Sequence, residues 1–298
     1  MKILVVGAAG KTAGLVVPAL LERGAVVRAL VRKPEQVQLA RSRGAAELAV
    51  GDLADPESLD AALVGVDGVF HIGPVFAPDE ARLGLNIVEA AQRAGVRKFV
   101  FSSVIHPILD LPNHAAKAPV ERALVNSALD YTILHPTMLF QNYALSWTGI
   151  LETGVVAEPW APETRFSRVD YRDVAEVAAI ALMEDRLAYG TFELCAPGIQ
   201  SRLDLAVMLT EILGRKIGVG TVDRAELTHA PRDMITMFAH YDHAGLLGSP
   251  LALRTILGRE PRTLQGISRS WHETHGSSDG SSVGPRLTMT WSRAPLVA

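Results

Sequence analysis

Cysteine is nearly absent from this chain: Cys195 is the only one among 298 residues. One thiol closes no internal disulfide, so a reducing, cytoplasmic setting is expected. Cys195 lies in "TFELCAP", read as a buried strand, where cysteine packs as a small hydrophobe. Aromatic residues are scarce at 6%, and neither sign of charge dominates, the formal net charge being −3. Without a basic surplus, neither nucleic acid nor an anionic membrane is expected as a partner. Long apolar runs are missing too, none approaching the roughly 18–20 residues that span a bilayer. The opening "MKILVVGAAG" could be mistaken for a signal peptide, but Lys11 interrupts it early and a helix-period stretch with Glu22 and Arg23 follows. There is no G-x-S-x-G elbow to suggest a hydrolase and no H-E-x-x-H pair. The histidines of "HYDHAG" (His240, His243) and "WHETH" (His272, His275) lack that spacing, so no metal site is expected. No repeat of solenoid length is visible.

What is present is the composition of an ordinary globular protein, 48% apolar and 20% charged, long enough for a sizeable core. The first half alternates short apolar runs with helix-period segments. The runs are "KILVV", "AVVRALV", "AELAV", "GVFHI", "KFVFSS" and "YTILH". Helices are expected around Thr12–Arg23, Glu35–Arg43, Pro56–Leu63, Asp79–Ala94 and Ala115–Ser127. Nearly continuous apolar strands separated by helices predict an α/β fold, a doubly wound parallel sheet of Rossmann type.

Beyond Pro136 the alternation weakens. "MLFQNYALSWTGILETG" reads as a helix and "EPWAPETRFSRV" as irregular, while "YRDVAEVAAIALMED" and "TFELCAP" read as a helix and strand returning to the sheet. "SRLDLAVMLTEILGRKI" is amphipathic, with Ser201 a cap and Gly214 a stop, and short helices are expected to about His275. The expected organisation is a core from 1–140 and 166–195 with an interleaved, mainly helical lobe from 141–165 and 196–275. Ligands of open α/β sheets bind at the strand ends, below such a lobe. The Gly/Ser-rich tail, 276–298, is expected to be disordered.

The segment "GAAGKTAG" follows the first strand and opens the first helix, the context in which a glycine motif is credible. Its glycines let the backbone approach a pyrophosphate, whose charge the free N–H groups of a helix N-terminus would stabilise. Ala13 stands where the third glycine of G-x-x-G-x-x-G is expected, a place where a methyl group is often tolerated. The second strand ends in "RALVRKPE", with Arg32 and Lys33 and no carboxylate before Glu35. A guanidinium fits a phosphate, so NADP is expected in preference to NAD, unless the pair is only a solvated helix start. Asp52 in "GDLADPESL" either accepts from the adenine amino group or serves a turn leading to Pro56.

Together "GAAGKTAG", "VRALVRKP", "GDLADPESL", "NIVEAAQRAGVRKFVFSSV", "KAPVERALVNSALDYTILHPTMLFQN" and "LGREPRTL" resemble the NmrA-like branch of the atypical short-chain dehydrogenase/reductases. The resemblance runs from Met1 to about His275. It implies an NAD(P)-binding Rossmann domain with a small C-terminal lobe, in a branch that usually takes NADP(H). Members range from reductases of quinones, dyes and phenolics to cofactor-sensing regulators. Position by position, Gly7, Gly10, Lys11 and Thr12 match the phosphate loop, Arg32 the 2′-phosphate residue, and Asp52-Leu53 the adenine contact. Ile72–Gly73 match the loop beside the cofactor ribose, and Lys117 the lysine reaching the nicotinamide ribose. Ala9, Ser103 and Pro136 complete the expected cofactor set. At His135 the commoner pattern has arginine.

Catalytic machinery is less evident. None of the five tyrosines, at 131, 143, 171, 189 and 241, has a lysine four residues on. Counting back from Lys117 gives Asn113, which cannot donate a proton as a phenol does. A quinone could still accept hydride and later take a proton from water or from a neighbour such as His114, unless that histidine is only a solvated or capping group at a helix start; His114 and Lys117 are the catalytic candidates. Ser102 and Ser103 either bind ribose or a substrate oxygen, or cap local backbone. The expected function is an NADP(H)-dependent oxidoreductase with a small apolar substrate, as a monomer or homodimer, its pocket formed by Thr137, Met138, Met234 and Phe238. The alternative is a non-catalytic NADP(H) sensor acting through a protein partner.

Overall fold

The computed structural model describes residues 1–276. Of the tail expected to be disordered, Gly276 ends the last helix and the remainder lies outside the described residues. The chain opens with β1 (Lys2–Val6), a 3-10 turn (Ala13–Leu15) and α1 (Val16–Leu21). It continues through β2 (Val26–Val31), α2 (Pro34–Ser42), β3 (Glu47–Val50), α3 (Pro56–Leu63), β4 (Gly68–Ile72) and α4 (Glu80–Arg93). Then come β5 (Lys98–Ser102), α5 (Pro112–Ala115), α6 (Ala118–Val125) and β6 (Asp130–Pro136). The remainder holds β7 (Met138–Leu139), α7 (Gln141–Thr153), β8 (Val155–Glu158), β9 (Phe166–Val169), α8 (Tyr171–Met183) and β10 (Gly190–Leu194). It ends with β11 (Ile199–Gln200), α9 (Arg202–Leu213), β12 (Gly218–Thr221), α10 (Arg232–His240), α11 (Leu251–Leu257) and α12 (Leu264–Gly276).

Seven strands form one parallel sheet in the order β10-β6-β5-β4-β1-β2-β3. The near-continuous apolar runs follow from burial on both faces: Ile3 and Val5 of β1 enter one core, Leu4 and Val6 the other. From β1 the order proceeds one way to β2 and β3 and the other way to β4, β5 and β6. The crevice at the β1/β4 ends is therefore the topological switch point. β10 returns to pair with β6, as "TFELCAP" suggests. Cys195, just past β10, is buried, and burial pushes its thiol up to about 12, so it stays protonated.

Several expected elements are corrected. The helix expected at Thr12–Arg23 starts at Val16, because Pro18 has no N–H to donate to Gly14 and the α-ladder cannot extend back through it. The helix expected at Ala115–Ser127 is α6, which starts only at Ala118 and is separate from the short α5 ending at Ala115, since Pro119 has no N–H for the carbonyl of Ala115. Met138–Leu139 are strand rather than helix, and the segment read as irregular contributes strand at both ends. β7, β9 and β11 make a small sheet, and β8 pairs with β12. Ser201 caps α9 as expected, accepting from the Asp204 N–H at 3.2 Å, and Gly214 closes it at φ +62°. The segment "LGREPRTL" is a clasp: Arg259 bonds Asp173 at 2.9 Å and the Arg262 N–H donates to the same buried carboxylate at 2.7 Å.

Candidate functional site

Every predicted cofactor residue except Lys117 lies at or just beyond the carboxyl end of one of the strands β1 to β6. After β1 the chain turns at Gly7, whose φ of +78° requires glycine, and Gly10 N–H closes the turn onto the Gly7 carbonyl at 2.6 Å. A Cβ on Gly7 would meet the Ala13 methyl at 3.2 Å, so the buried alanine packs under the turn. The N–H groups of Ala9 and Lys11 have no acceptor among the described residues. Two unpartnered amides beside a left-handed glycine fit a phosphate group.

After β2, Arg32 is exposed, its Nη1 3.9 Å from Asp52 Oδ2 beyond β3. The Arg32 and Lys33 amides are taken by Gln36 Oε1, at 2.7 and 3.0 Å, so the guanidinium, exposed beside Asp52, is the polar end that Arg32 presents to solvent. Asp52 Oδ1 accepts from the Ala54 N–H at 2.9 Å, while the cap of α3 is Asp55. The Leu53 carbonyl is held by Asn86 Nδ2 of α4 at 2.7 Å.

Beyond β4 and β5 the site is buried. A Cβ on Gly73 would come 2.7 Å from Glu80 Oε1, so glycine there makes room for a carboxylate. Glu80 is 3% exposed, forms an ion pair with Lys117 Nζ, and its Oε2 has no partner. Lys117 is 5% exposed, in the break between α5 and α6; burial pulls its pKa down to about 8, against the raising effect of Glu121. Glu121 accepts from Ser103 Oγ and lies 2.9 Å from His135 Nε2. His135, where arginine is commoner, thus joins a Ser103–Glu121–His135 chain across the ends of β5 and β6. Glu80 and Glu121 carried no motif, although a glutamate four residues after Lys117 on a helix was a legible neighbour.

His71 stacks on Phe101 at 5.4 Å, with both ring nitrogens buried and unpartnered. Burial, then the Lys117 charge, holds it neutral, its pKa at about 3. Ser102 accepts from Tyr171 OH at 2.9 Å, and burial raises that phenol far above its usual range. Asn113 is buried, with Nδ2 3.4 Å from Met237 Sδ. His114 is also buried, its Nδ1 3.2 Å from the carbonyl of His106, and burial lowers its pKa. A neutral ring bonded in this way donates Nδ1–H to backbone and leaves Nε2 an acceptor.

Of the expected pocket residues, Met138, Met234 and Phe238 join one apolar cluster with Ile105, Trp160 and Tyr241, against which Phe76 packs. Thr137 is buried beside it, its hydroxyl 3.4 Å from the Leu194 carbonyl. Pro136 is buried at the end of β6.

The model of the NmrA-like family matches residues 1–250. The chain belongs to the NmrA-like family. This NmrA-like chain is 32% identical over 217 residues to the NAD(P)H azoreductase of Xenophilus azovorans, covering 72% of the chain and 75% of that protein. Its fold is that of the NADPH-dependent quinone oxidoreductase of Escherichia coli, solved with NADPH, at a TM-score of 0.78 and 23% identity, with 91% and 99% of the two chains covered. The triphenylmethane reductase of Citrobacter sp. gives a TM-score of 0.79 at 23% identity, with 91% and 99% covered. No helix among the described residues is long and apolar enough to cross a membrane.

Proposed function

We propose that the chain binds NADP(H) across the β1/β4 crevice and is an oxidoreductase that passes hydride to a small, flat, apolar acceptor such as a quinone. The observation that carries this reading is the sequence of groups along the strand ends. Unpartnered amides follow β1, an exposed guanidinium follows β2, and a buried ammonium stands beyond β5. A diphosphate, a 2′-phosphate and a nicotinamide ribose call for those three groups. Family membership and the names of the relatives support the same reading. The nicotinamide supplies the hydride; the chain's residues supply position, charge and a proton.

Lys117 Nζ is the group we assign to the proton, because neutral His114 has its only N–H engaged by backbone. Asn113 stands where the tyrosine of the commoner pair would be. The apolar cluster around Phe238 and Trp160 keeps water from an acceptor stacked beside it. The test is steady-state oxidation of NADPH against a panel of quinones and dyes, with NADPH preferred to NADH. Tight NADPH binding with no turnover on any acceptor would sink the catalytic half and favour a cofactor sensor.

Only the ammonium form of Lys117 donates, so kcat falls as pH rises through about 8. Glu80→Gln removes the carboxylate that stabilises that ammonium, so the alkaline limb moves to lower pH. An unmoved limb in the kcat–pH profile would show that another group sets it.

A further inference from the structure

Resting on the dinucleotide reading, we infer that Arg43 is a positioning residue for the diphosphate, acting from beneath the glycine turn. Arg43 follows the last residue of α2 and is half-buried. Its Nη1 donates to the carbonyls of Ala8 and Gly10, both at 2.5 Å. A trans peptide points its C=O and N–H in opposite directions. Drawing those two carbonyls down onto the guanidinium therefore turns the next two amides, Ala9 N–H and Lys11 N–H, away from it. Neither amide has an acceptor among the described residues.

The seat of the guanidinium is Gly14. A Cβ there would overlap Nη1, Cζ and Nε of Arg43. The last glycine of "GAAGKTAG" is thus displaced one place from the G-x-x-G-x-x-G pattern because it accommodates a side chain rather than a strand. No carboxylate among the described residues pairs with Arg43. Its charge is accordingly uncompensated, and a half-buried charge is screened less than an exposed one. Arg43 thus orients two donors and adds a positive potential on the far side of the loop from a bound anion.

The experiment compares the full chain with Arg43→Leu and Gly14→Ala, titrated with NADPH and with NADH by nicotinamide fluorescence, alongside unliganded Tm. Both variants should raise Kd about tenfold to a hundredfold, the range for a hydrogen-bonded charged group. The factor should be the same for both dinucleotides, since both carry the diphosphate. Gly14→Ala displaces only the tip of a flexible side chain, so its unliganded Tm should fall no further than that of Arg43→Leu. Because both changes remove one interaction, the double variant should bind no worse than the weaker single. Wild-type affinity in either variant, a loss confined to NADPH, or additive losses would overturn the assignment. So would a lowered Tm with affinity intact, the signature of a mere clasp between α2 and the loop. A parent chain that binds neither dinucleotide overturns the dinucleotide reading itself and this assignment with it, an outcome distinct from parent binding that the variants leave intact.

Discussion

Arg32→Glu is expected to weaken NADPH binding about a hundredfold while NADH binding holds or improves. A guanidinium bonded to a phosphate contributes about 1.5–3 kcal/mol, and a carboxylate in its place adds repulsion of the 2′-phosphate. The same carboxylate can accept from a ribose 2′-hydroxyl, so NADH binding is kept or modestly strengthened. Little opposes the parent contact: the Arg32–Asp52 pair is exposed and 3.9 Å long, a geometry worth at most about 1 kcal/mol. Fluorescence titration of the two nucleotides reads the ratio directly. Equal loss for both, or no loss, would remove Arg32 from the 2′-phosphate.

The second large effect is at Lys117. Lys117→Met alone leaves Glu80 a buried carboxylate with no counter-charge, which costs about 3–5 kcal/mol of stability and would confound any rate. The informative variant is therefore Lys117→Met with Glu80→Gln, in which no bare charge remains. Tm should recover most of the single variant's loss, while kcat stays about a hundredfold below the parent, at the low end of what a positioned general acid contributes. A double variant turning over within about threefold of the parent would mean that the proton comes from elsewhere. Hydrogen-bond geometry makes His114 a poor substitute, its Nδ1 being held by the His106 carbonyl.

The centre of the main sheet was legible in the sequence because strands such as β1, β4 and β5 are buried on both faces and therefore apolar at nearly every position. "KILVV" and "GVFHI" are β1 and β4 residue for residue. Beyond Pro136 that signal disappears for physical reasons. β7 and β11 are two residues each, too short for any period. β9 carries a fully enclosed arginine, Arg168, which bonds Tyr143 OH at 2.9 Å and the Gln200 carbonyl at 2.7 Å. A buried guanidinium satisfied by tertiary partners reads as a polar loop in sequence.

The site divides in the same way. Gly7, Arg32 and Asp52 are local to strand ends, so strand-helix alternation locates them. Glu80 lies 37 residues from Lys117 and Arg43 lies 35 from Ala8, contacts that no spacing rule predicts. His135 gave a partial signal: its departure from the commoner arginine was visible, but its partner Glu121 emerged only with the fold.

In the proposed reaction NADP(H) lies across the β1/β4 crevice and gives up hydride to an apolar acceptor. Anaerobic mixing of the NADPH-loaded chain with a quinone tests it most directly, in a single turnover followed by nicotinamide absorbance. One NADPH should be consumed for each quinone reduced, deuterium at the nicotinamide C4 should slow the step, and excess NADH should not displace the bound nucleotide. NADPH that fails to bind, or that remains reduced in the presence of every quinone tried, would contradict it.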